Sequence, residues 1–137
     1  MKRRTIHYGV SGLEYVYLKD APVRQTIYGE VLALDADVIG REIAKELVRQ
    51  GVPIRGAEVQ FLRKSIGLSL ARFGAFLALS APAILKWERA RAKRLEPVNE
   101  VAVRALMAEQ LGVCMEGSFT ALKGNPATPA RLLLKVA

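Results

Sequence analysis

Between Phe73 and Leu85 the chain runs for 13 residues without a charge. A helix rises about 1.5 Å per residue, so this run would reach roughly 20 Å, well short of a hydrocarbon core of about 30 Å. It does not span a membrane as one element. Ser80 and Pro82 fall in its middle. A serine hydroxyl accepts backbone amide protons at a helix start, and proline is tolerated in a first turn but not in a helix interior. The run therefore divides into two short buried helices, with Ser80 capping the second and Ala81, Pro82 and Ala83 forming its first turn.

The flanks read by the same local chemistry. "LEYVYLK" (13–19) and "VRQTIYG" (23–29) are rich in strand-forming residues, and "KDAP" between them supplies turn residues, which predicts an antiparallel hairpin. "EVLALD" (30–35) is expected to add a strand. Ile39, Ile43, Leu47 and Val48 form the apolar stripe of an amphipathic helix that stops at Gly51 and Pro53. From Arg55 the chain reads as consecutive short helices. Val59, Leu62 and Ile66 line one that closes at Gly67, and Ser69 caps the next, through Phe73, Phe76 and Leu77. Pro97 opens a longer helix that places Val98, Val101, Ala105 and Leu106 on one face and stops at Gly112. The tail, with Gly117, Gly124, Pro126 and Pro129, is expected to be mostly loop, with "ARLLLKVA" as a closing strand.

Three segments follow: a small N-terminal β region with an amphipathic helix (1–52), suited to dimerisation or partner binding; a helical domain (53–112); and a C-terminal tail (113–137). The expected fold class is mainly α, the helical domain being preceded by a small β hairpin or sheet and a connecting helix. At 137 residues and 51% hydrophobic content, such a chain buries its core without disulfide or metal staples. One cysteine, Cys114, excludes an internal disulfide, and one histidine, His7, excludes a Cys/His zinc cluster. No cofactor is expected. "MKRRTIHYG" is basic but has no apolar stretch behind it, so it reads as a flexible terminus rather than a secretory signal, with an arm that touches phosphates as the alternative. A reducing cytoplasm is the expected compartment.

Charge is concentrated where the short helices lie. Of the formal net charge of +8, residues 53–96 hold nine basic and three acidic groups. Polyanions are favoured as partners by such a balance, which does not distinguish DNA from RNA or anionic lipid. Neither a phosphate-binding glycine loop nor a nucleophile motif is present, so no enzymatic activity is expected.

Phe73 and Leu77 on one helix, Leu79 in the turn, and Ile84 and Trp87 on the next supply the contacts that hold two helices at a steep angle. In "FLRKSIGLSLARFGAFLALSAPAILKWERAR" (61–91) the F-L-R-K, G-L-S and I-x-x-W-E-R elements resemble the lambda-repressor/Cro-like (Xre) helix-turn-helix family. "HYGVSGLEYVYLKDAPVRQTIYGEVLALDADVIGREIAKELV" is similar to the N-terminal region of MqsA-type antitoxin-like regulators, and together the resemblance covers roughly Ile6 to Gln110. Many such proteins bind zinc through N-terminal cysteines; here Ser11 stands where Cys is common, so zinc is not carried over.

The resemblance implies a major-groove face made of Ser80, Ala81, Pro82, Ala83 and Lys86, with Ile84 and Trp87 turned inward. Only Ser80 and Lys86 can hydrogen-bond a base or phosphate, so direct base readout is expected to be poor. Arg72, Arg89, Arg91, Lys93 and Arg94, together with Arg63 and Lys64, are the expected phosphate-neutralising groups. Departures from the pattern are Gly74 in place of Ala, Ala78 in place of the turn glycine, Leu70 in place of Gln, and Ala90 in place of a helix-ending Gly, without which "LKWERARAKR" could continue as helix. The implied function is a cytoplasmic DNA-binding transcriptional regulator, antitoxin-like, acting as a homodimer on double-stranded DNA. A protein-interaction module, either binding a cognate toxin or built on a helix-turn-helix scaffold that has lost sequence reading, is the alternative, and RNA binding a third.

Overall fold

The computed structural model describes residues 2–115 and 118–136; Gly117 of the expected tail loop lies outside them. In the first third, the two short strands expected on either side of "KDAP" are one long strand. β1 (Lys2–His7) runs antiparallel to β2 (Val16–Thr26), which passes straight through Lys19–Pro22. Arg4 pairs with Ala21 and Ile6 with Leu18, so Lys19 and Asp20 together oppose Thr5. Asp20 takes a φ of +53°. The expected turn is thus a β-bulge, which absorbs the turn-forming residues without reversing the chain. Pro22 lacks an amide proton, but its carbonyl still accepts from the Ala33 N–H at 2.9 Å. The reversal comes later, at Ile27 and Tyr28, where the Thr26–Gly29 pair closes the hairpin to β3 (Gly29–Leu32). Far from being a flexible basic arm, the start of the chain is a paired strand.

A fourth strand, β4 (Leu132–Lys135), lies parallel to Val16–Lys19, on the edge of β2 opposite β1. β3 takes the same edge farther along. Between these strands come six helices among the described residues: α1 (Ala36–Arg49), α2 (Gly56–Ser65), α3 (Leu70–Phe76), α4 (Ala81–Arg89), α5 (Pro97–Leu111) and α6 (Ser118–Lys123). The caps act as their chemistry requires. Asp35 accepts from the Asp37 N–H at 2.8 Å, Ser69 from the Arg72 N–H at 3.1 Å, and Gly67 and Gly112 end α2 and α5 in left-handed conformations.

The architecture is a small α+β fold with a mixed four-stranded sheet, which corrects the expectation of a mainly α chain preceded by a small β hairpin or sheet. One buried cluster joins Leu13, Val16 and Leu18 of the sheet region, Ile39 and Ile43 of α1, Val59, Phe73 and Ile84 of the short helices, and Leu132 and Leu134 of β4. In the tail the expected closing strand is present as β4, while α6 replaces part of the expected loop. Because β4 hydrogen-bonds to β2, the two ends of the chain complete one sheet.

α5 turns a different face inward from the one its aliphatic residues suggested. Of the expected face Leu106 is buried and Val101 half-buried, but Val98 is 80% exposed and Ala105 is exposed, while Val103, Met107 and Leu111 are buried beside Glu100 and Arg104. The reason is an ion network. Glu100 accepts from Arg94 Nε and Nη2 at 2.7 and 2.8 Å, from Arg104 Nη1 at 3.0 Å and from the Ile54 N–H at 3.3 Å. Arg104, 0% exposed, also donates to the Val52 and Leu122 carbonyls. Burial alone would raise the Glu100 pKa, but the hydrogen bonds and charges of Arg94 and Arg104 outweigh it and hold the carboxyl below its ordinary range. A charge removed from water must be met in this way, and here the partners tie α5 to the chain on both sides of it.

Candidate nucleic-acid interface

α3 and α4 bend by 104° across the four residues Leu77–Ser80, within the range of a helix-turn-helix crossing. Two positions make so tight a reversal feasible. The Gly74 carbonyl accepts from both the Leu77 and Leu79 amides, at 2.9 and 2.8 Å. A Cβ on Gly74 would sit 2.5 Å from the Leu79 carbonyl oxygen, so the residue that departs from the resembled pattern is required by the turn. Ala78 bears the left-handed conformation, with φ +57°, where glycine would fit without strain. Ser80 then caps α4, accepting from the Ala83 N–H at 3.3 Å.

Within α4 the division of faces is sharp. Ile84 and Glu88 are buried; Ala81, Ala83 and Trp87 are half-buried; Ser80, Pro82, Lys86 and Arg89 are exposed. Pro82, Lys86 and Arg89 follow the i, i+4, i+7 spacing of one stripe. Glu88 receives Arg63 Nε and Nη2 at 2.6 and 2.9 Å, and Arg63 also donates to the Leu68 carbonyl. That pair locks α4 to α2. Nothing in the sequence singled the pair out, because Lys64, Lys86, Arg89 and Arg91 crowd the same two segments with charge.

The helix ends at Arg89 instead of running on through "ARAKR". The segment beyond serves α2 instead. There the Lys93 and Arg91 carbonyls accept the Gly56 and Ala57 amides at 3.2 and 3.1 Å, satisfying the start of that helix. A Cβ on Gly56 would overlap the Trp87 carbonyl oxygen. The absence of a side chain there lets α2 and α4 meet, a requirement that helix-boundary signals alone do not reveal.

The cations expected on phosphates therefore separate into two groups. Arg94 is held by Glu100 and donates further to the Pro126 and Lys123 carbonyls, and Arg63 is held by Glu88. Their hydrogen bonds to these carboxylates raise both guanidinium pKa values against the opposing effect of burial. Arg91, exposed, donates to Gln60 Oε1 at 2.8 Å. Arg72, Lys86, Arg89 and Lys93 are exposed and, among the described residues, without an ion-pair partner. Arg72 sits on α3 next to Ala75 and Phe76, the latter 53% exposed. Lys86 and Lys93 border a recess with Asn99.

Elsewhere, Cys114 is exposed, and His7 stacks against Tyr17 with ring centres 4.8 Å apart. No single helix among the described residues is long and apolar enough to cross a membrane. No protein-family model, no curated protein and no solved structure matches this chain.

Proposed function

We propose that this protein is a DNA-binding transcriptional regulator of the antitoxin-like kind, which presents α4 to the major groove and acts as a homodimer on successive turns about 34 Å apart. One observation carries the proposal. The 104° reversal between α3 and α4 leaves the start of α4 exposed, with Lys86 and Arg89 on the same stripe as Pro82. Those two cations, Arg72 and Lys93 are the groups suited to phosphate; Arg94 and Arg63 are engaged within the fold. Ala81, Pro82 and Ala83 have no side-chain group that reads a base edge by hydrogen bonding, so affinity comes from the backbone term and discrimination is weak.

The test is fluorescence anisotropy with a duplex from the promoter of its own gene and a random duplex, across a salt series. Each phosphate contact contributes a slope of about −0.9 in log K against log salt. Lys86→Ala and Arg89→Ala are each expected to weaken binding to both duplexes and to flatten that slope by about one contact. Unchanged affinity and slope in both variants would overturn the assignment. A second reading, a protein-interaction module that engages a toxin, draws on the exposure of Phe76 beside Ala75 on α3. Equal affinity for promoter and random DNA, together with loss of toxin capture in Phe76→Ser, would favour it.

A further inference from the structure

α1 and α2 leave a cleft of about 590 Å³ between them, within the usual range of small-molecule sites. Its lining combines Gly40, Ala57 and Phe61 with the polar Ser11, Gln60 and Ser65, and Arg41, Lys64 and Arg91 are its cations. Asp37 is the only acidic residue in its lining. Among the described residues none of the three cations is ion-paired, and the Gln60 bond to Arg91 holds that guanidinium at the wall.

Gly40 is the informative residue. It lies inside a 14-residue helix, where glycine costs roughly 0.5–1 kcal/mol relative to alanine. At Gly56 and Gly74 the packing explains the glycine; at Gly40 an added Cβ would meet nothing within 4 Å. No neighbour in the fold requires the glycine, and its missing side chain adds to the open space of the cleft that Phe61 also lines.

We propose that this cleft binds a small organic anion bearing an apolar ring, the ring lying against Phe61, Gly40 and Ala57 and the anionic group among Arg41, Lys64 and Arg91. Inorganic anions fit the charge but not the apolar wall. Neutral rings fit the wall but leave three cations uncompensated by more than one carboxylate. The site is independent of the DNA reading and would stand if that reading failed.

The experiment is a fluorescence titration of the full chain with 1-anilinonaphthalene-8-sulfonate, which combines both features, followed by displacement with salicylate and with inorganic phosphate. The expected result is one saturable site displaced by salicylate and not by phosphate at equal ionic strength. Gly40→Leu is expected to weaken binding by about tenfold or more while melting no lower than the parent, because leucine favours helix and fills only the cleft. Lys64→Glu, at an exposed position, is expected to weaken it comparably without unfolding. Phe76→Ser, outside the cleft, should leave the titration unchanged. Unaltered binding in both Gly40→Leu and Lys64→Glu, loss of binding in Phe76→Ser, or displacement by phosphate as effective as by salicylate would each overturn the proposal.

Discussion

Replacing Glu100 with alanine takes away the carboxylate that neutralises Arg104, a guanidinium with 0% exposure. Four hydrogen bonds end on Glu100, two from Arg94, one from Arg104 and one from the Ile54 amide. Arg94 is partly exposed and can turn to water, whereas Arg104 cannot move without opening the junction at Val52 and Leu122. Breaking a buried pair by deleting one partner costs about 3–5 kcal/mol, a large share of the roughly 5–15 kcal/mol that holds a domain folded. For a chain of this size the melting temperature should fall on the order of 10–20 °C. Urea and thermal unfolding at neutral pH, followed by circular dichroism, measure the loss. The decisive comparison is the cycle of Glu100→Ala, Arg104→Met and the double variant. A coupling of roughly 1–3 kcal/mol is expected for groups in direct contact. Strict additivity, or a Glu100→Ala loss below about 1 kcal/mol, would refute the view that this network is what turns the charged face of α5 inward.

The same carboxyl makes stability depend on pH. Its folded pKa is held below the ordinary value of 4.5, so between the two values the unfolded chain binds more protons, and stability falls as the solution is acidified through that window; Glu100→Gln should flatten this slope in denaturation curves measured through the acid range. The α3–α4 turn gives opposite signs at neighbouring positions. Ala78→Gly relieves the left-handed alanine and should stabilise by up to about 1 kcal/mol, while Gly74→Ala drives a methyl against the Leu79 carbonyl and should cost about 1–3 kcal/mol, both read as shifts in the urea midpoint. If the first destabilises and the second is neutral, the turn is not built as described.

How much was legible before the structure depended on how far away each answer lay. Helix starts and stops were readable because a cap is satisfied within a few residues: Ser69, Ser80 and Pro97 begin helices, and Gly67 and Gly112 end them. The steep helix pair around Phe73 and Ile84 was readable for the same reason, its turn being only four residues long. "KDAP" misled because the same residues suit a turn or a bulge, and the choice fell to β1 pairing across it. Nor could the basic start be known as a strand until β2 was there to pair with it.

The sequence by itself therefore determined the short helices α2 to α4, their boundaries and the concentration of positive charge around α4, since these follow from hydrogen bonds and periodicity within a few turns of chain. Only the tertiary structure decided the fold class, because β4 finds β2 more than a hundred residues away in the chain. It also decided which cations face solvent. Arg63 and Arg94 looked like Lys86 and Arg89 in the sequence, yet a buried carboxylate that must be neutralised claims each of the first pair and leaves the second pair free.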